Sequence, residues 1–82
     1  MKIFDGYKED YKERFHNINY VVNNFREDIY RMMVLGIVIL LPDTLLKSLS
    51  YQMSHLSPLD DKTKYNKVME FIIIRMIGEE HE

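Results

Sequence analysis

The stretch Met32-Met33-Val34-Leu35-Gly36-Ile37-Val38-Ile39-Leu40-Leu41 decides how this chain must fold. None of its ten residues carries a charge, a side-chain amide or a hydroxyl, and only Gly36 is small. A helix that is apolar on every side belongs in a core, so the run predicts a helix buried almost all round. A bilayer span needs roughly 20 apolar residues, and this run stops short at Pro42-Asp43. Pro42 lacks a backbone donor and disfavours helical geometry at Leu41, which ends the helix there.

Toward the N-terminus, apolar residues recur at Phe4, Tyr7, Tyr11, Phe15, Ile18, Val22, Phe25, Ile29, Met32 and Gly36. The mean step is about 3.6 residues, the period of an amphipathic helix. From Ile18 to Met32 the steps alternate 4-3-4-3, the seam of a coiled-coil-like pairing. Asp5 is a plausible N-cap, and Glu9 and Asp10 suit the positive end of a helix dipole. Asn17, Asn19, Asn23 and Asn24 lower helix propensity, and Asn23-Asn24 is where a kink would fall. The stripe runs straight through that pair, so one long helix over about 5–41 is expected.

Toward the C-terminus, Asp43 can cap a second helix over about 44–55, with Leu45, Leu46, Leu49 and Met53 on its apolar side. Ser57-Pro58 then reads as a cap followed by proline at the first helical position. That predicts a third helix over about 58–77, stopped by Gly78 and packing through Tyr65, Val68, Met69, Ile72, Ile73, Met76 and Ile77. The expected fold is all-α: a single domain over 1–82, a three-helix antiparallel bundle with one long N-terminal helix. At 1.5 Å per residue that helix would be about 55 Å long and the third only about 30 Å. The uncovered aromatic stripe predicts self-association as a homo-dimer, and it nominates Tyr7, Tyr11, Phe15, Ile18 and Val22 as partner-binding residues.

The composition excludes several kinds of chemistry. Eighty-two residues without cysteine offer neither a disulfide nor a thiolate nucleophile or ligand. The 11 basic and 13 acidic residues are evenly mixed, so no basic stripe for nucleic acid emerges. Lys62, Lys64 and Lys67 with Tyr65 could touch phosphate, but Asp60 and Asp61 beside them point to a solvated first turn. Glu9, Glu13 and His16 share one helical face, yet this single Glu-x-x-His lacks the second set that four-helix di-metal sites use. No glycine-rich loop is present to cradle a nucleotide. The expectation is a chain with no catalytic residues, no metal and no cofactor, and not an enzyme. One long helix followed by two shorter ones is also the architecture of the all-helical chorismate mutases, where Arg14, Arg26, Arg31, Lys47 and Arg75 would be the cations to nominate. Ile18, Val22 and Phe25 fill the seam that such an enzyme lines with arginine and lysine.

Lys2, Asp5, Lys8, Glu9 and Asp10 occupy the place of an export signal's apolar region, which predicts a chain that stays in the cytoplasm. Small size, absence of cysteine and richness in Asn, Lys, Ile and Tyr resemble the small regulatory proteins of T-even phages. Among them the chain looks most like the cytoplasmic antiholins of lysis inhibition. That resemblance implies a non-enzymatic regulator, in the host cytoplasm, that binds the cytoplasmic N-terminal segment of a holin and delays the membrane hole. It carries no site residues with it. A small inhibitor of the host transcription machinery is the alternative.

Overall fold

The computed structural model describes the backbone of residues 2–80 and the side chains of residues 11–78. Four helices account for nearly all of it: α1 (Lys2–Asn23), α2 (Asp28–Val38), α3 (Asp43–Leu56) and α4 (Asp61–Glu80). Among the described residues there is no strand. α1 packs on α2 and α3, and α4 packs on the same two helices. Ile18, Val21 and Phe25 from the first helix and its end meet Val34 and Val38, Leu46, Leu49 and Met53, and Val68 and Ile72 in one core.

The all-α class is as expected, but the long first helix is not. It breaks at residues 24–27 into α1 and α2, so there are four helices rather than three. The Asn24 side-chain amide donates to the Tyr20 carbonyl at 2.8 Å, a local bond of the kind that competes with helix continuation. Tightened bonds follow, Asn24 N–H to Val21 O and Phe25 N–H to Val22 O. The decisive groups come from far along the chain. The Asp61 carboxylate accepts the backbone N–H of Arg26 through both oxygens at 3.0 Å and that of Glu27 at 2.8 Å. The Lys64 ammonium donates to the Asn24 carbonyl, and Arg31 Nε donates to the Phe25 carbonyl at 2.8 Å. The freed backbone groups of the bend thus have partners, which is what permits the helix to break inside the fold.

Phe25 sits fully buried at this bend. Its ring stacks on Tyr30 at 6.3 Å, and Tyr30 meets Tyr65 edge-on at 5.8 Å. The Lys64 ammonium lies 5.5 Å from the Phe25 ring centre, a favourable cation–π position. Asp61 is 5% exposed and Lys64 1%. Burial pushes the Asp61 carboxyl up, but the N–H groups of Glu27 and Arg26 and the charges of Lys64 and Arg26 outweigh it and hold the group below its ordinary value.

A depressed folded-state value sets the sign of the pH dependence. At neutral pH the carboxylate is charged in both states and its stabilisation is complete; as pH falls below the unfolded value of about 3.9, the unfolded chain takes up the proton first. Stability is then lost as pH drops through the lower folded value. Thermal melts should hold steady down to about pH 5 and fall steeply below about pH 4, with a shallower fall in Asp61→Asn. Equal acid sensitivity in both proteins would remove Asp61 from this role.

The other joints follow local chemistry. Leu40 N–H and Leu41 N–H bond back to Ile37 O and Val38 O in a tightened last turn, and extended Pro42 precedes α3. Arg14 reaches from α1 to this corner, where its guanidinium donates to the carbonyls of Leu41 and Ile39 and to Asp43, each at 2.8 Å. α4 starts at Asp61 rather than at residue 58, because the cap is Asp60 and not Ser57. Asp60 accepts the Thr63 hydroxyl at 2.6 Å and the Thr63 N–H at 3.3 Å, and the Thr63 side chain is the main reason its carboxyl is held below the ordinary value. α4 also runs through Gly78 to Glu80 instead of stopping there.

Candidate docking surface

The ten-residue apolar run is only half buried. Val34, Val38 and Leu41 face the core, whereas Met32, Met33, Leu35, Ile39 and Leu40 are exposed, with Leu40 at 81% and Met32 at 70%. The bend resets which side of α2 faces inward: Val34, Val38 and Leu41 repeat at four and three residues, so Ile29, Met32, Gly36 and Leu40 share the opposite arc. Exposed Ile29 and Met32, read from sequence as part of the pairing seam, therefore lie outside. From Ile29 to Leu41 the sole charged residue is Arg31. Its guanidinium turns toward the Phe25 carbonyl and lies 3.5 Å from Asp28. The outward arc of α2 is thus entirely apolar.

α4 continues this surface. Ile73, Met76 and Ile77 were expected in the core, but Val68 and Ile72 take the inward side of α4, and each of the three is about half exposed. Between the two helices runs an open groove of about 370 Å³, walled by Ile37, Leu40, Leu45, Met69, Ile73 and Met76. Gly36 stands at its edge, and a Cβ built there would meet nothing within 4 Å. The largest apolar patch on a typical monomer is about 300–600 Å². The arc of α2 with Ile73 and Met76 exposes eight large apolar side chains, on the order of 800 Å² in all, the share that one partner contributes to a standard interface.

The five partner-binding residues nominated from sequence divide. The Tyr7 side chain lies outside the described residues. Tyr11 and Phe15 are about half exposed and meet edge to face at 4.6 Å. Ile18 is 7% exposed in the core, and Val22 packs against it. The length mismatch that called for a covering partner does not arise, since α1 and α2 are separate helices on one bundle.

The cations nominated by analogy with an enzyme do not gather in one place, although Lys47 borders one cleft with Arg14 and another with Arg75. Arg14 and Lys47 border one cleft of about 240 Å³, but Arg14 is bound to Asp43 at 2.8 Å and Lys47 lies 3.4 Å from Glu13. Arg75 covers the Phe71 ring at 3.6 Å, while Arg26 and Arg31 stand at the bend. His16 is exposed, and the Glu9 side chain lies outside the described residues. Among the described residues no three His, Asp or Glu side chains gather to hold a metal ion. No described helix is long and apolar enough to cross a membrane.

Sequence reasoning counted Ile29, Met32, Leu40, Ile73 and Met76 as core. Their real position was signalled by excess: the remaining residues are too few to surround both the run Met32–Leu41 and the apolar stretch Phe71–Ile74. No family model, no curated protein and no solved structure matches this chain.

Proposed function

We propose that the chain is a small non-enzymatic regulator that works by occupying another protein, an antiholin that binds the cytoplasmic segment of a holin and so holds back lysis. The observation that carries protein binding is the apolar face of α2 and its groove against α4. A groove with aliphatic and methionine walls accepts the apolar side of an amphipathic helix, read through anchors one turn apart. A helix that docks on anionic lipid flanks its apolar side with free lysine and arginine; the sole cation between Ile29 and Leu41, Arg31, is turned to the Phe25 carbonyl and lies beside Asp28, which favours a protein occupant. The holin as partner is what the resemblance in size and composition implies; the apolar face supports a helix-in-groove mode of binding.

Calorimetric titration with a synthetic peptide of the holin's cytoplasmic segment, taken from the genome that encodes this chain, tests the proposal. Binding is expected, and Leu40→Asp with Ile73→Asp should weaken it about hundredfold, two apolar anchors being lost, with helix content unchanged. A folded protein that ignores the peptide would end the antiholin assignment. Capture of a transcription-machinery subunit by the unmodified chain, lost in the double variant, would replace it.

A further inference from the structure

We infer that the apolar face of α2 is self-complementary and that, without another partner, it is closed by a second copy of this chain packed antiparallel across Gly36.

Three observations carry this. The exposed apolar surface of α2 together with Ile73 and Met76, on the order of 800 Å², matches what each partner gives to a stable interface. Gly36 lies inside a helix, where glycine is unfavourable, and beyond its chain neighbours and the backbone of its own turn nothing comes within 4 Å of where its Cβ would be. Nothing within the monomer uses that notch, whereas a close helix crossing would. The third is symmetry of placement. Met32 and Leu40 lie four residues to either side of Gly36, and Met33 and Ile39 three residues to either side, all exposed. A two-fold axis at Gly36 sets Met32 of one copy beside Leu40 of the other, and Met33 beside Ile39, each contact occurring twice as an isologous interface requires. No charged side chain lies on the arc between Ile29 and Leu40 apart from Arg31, which is turned toward the bend, so the pairing brings no like charges together.

The inference stands whichever partner the face binds. That partner binding must displace the second copy is a consequence that rests on the function proposed above. Sedimentation of the protein alone, without any target, therefore tests the dimer separately. At about 100 µM, above the micromolar upper limit for interfaces of this size, the unmodified chain should sediment at twice its 9.9 kDa mass. Gly36→Arg, whose side chain enters open space in the monomer, should sediment at the single mass with the same circular dichroism. Leu40→Asp should do likewise, and Phe15→Glu should leave the dimer intact. A single mass for the unmodified chain overturns the inference, whether it remains free or floats with neutral lipid vesicles. So does a dimer that survives both Gly36→Arg and Leu40→Asp, or one that Phe15→Glu dissolves.

Discussion

Asp61→Ala is expected to destabilise the fold by about 3–5 kcal/mol, the range for removing one member of a buried charged constellation. The carboxylate meets the N–H groups of Arg26 and Glu27 and faces the charge of Lys64, itself 1% exposed. Alanine leaves both N–H groups without that acceptor and leaves the Lys64 ammonium, still bonded to the Asn24 carbonyl, without its counter-charge. Small domains have only about 5–15 kcal/mol in total, so a large part of the stability should be lost. Urea titration followed by circular dichroism measures the effect. Asp61→Asn keeps one carbonyl acceptor and should lose less. A loss below about 1 kcal/mol for alanine, the size of an ordinary hydrogen bond, would mean that the bend does not depend on Asp61.

Val38→Asp and Leu40→Asp stand two residues apart and should behave oppositely. Val38 is wholly buried at the centre of the core, and an unpaired carboxylate there should cost more than about 4 kcal/mol and leave the chain unfolded. Leu40 faces solvent, so aspartate there should change stability by no more than about 0.5 kcal/mol in the isolated chain. Thermal melts of the two variants decide whether the run is half buried or wholly buried. If Leu40→Asp also unfolds the protein, the open face of α2 is core after all, and the docking surface disappears with it.

The helical class was legible because periodicity near 3.6 pervades the chain, and the break at Pro42 because proline has no donor to give. The bend at residues 24–27 was legible only as the weak Asn23-Asn24 pair. The apolar spacing of the sequence continues across it through Ile29 and Met32, which the structure leaves exposed, so a stripe that is not the core face hides the bend. What fixes the bend is Asp61 and Lys64, whose contacts with it span 34 to 40 residues; no local pattern marks them. In sequence, Asp60 and Asp61 look like two interchangeable acids in a first helical turn. The fold separates them, Asp60 capping its own helix and Asp61 holding another one. Of the candidate site, Tyr11 and Phe15 are as exposed as the stripe implied. Ile18 is not, because the side of α1 that it shares with Val21 meets the rest of the bundle.

The distance between the bend and its acceptors also orders events as the chain leaves the ribosome. Synthesis proceeds from the N-terminus, so residues 24–27 emerge long before Asp61 and Lys64 can reach them. Until then the segment has only its own helical bonds to satisfy its backbone, and the greasy second half continues straight from the first. Arrival of the fourth helix converts that rod into a corner and, in the same stroke, raises the wall of the groove. A nascent chain therefore carries its stickiest residues without their final geometry from the addition of Leu41 until Asp61 and Lys64 follow, and the groove is complete only after the fourth helix has arrived.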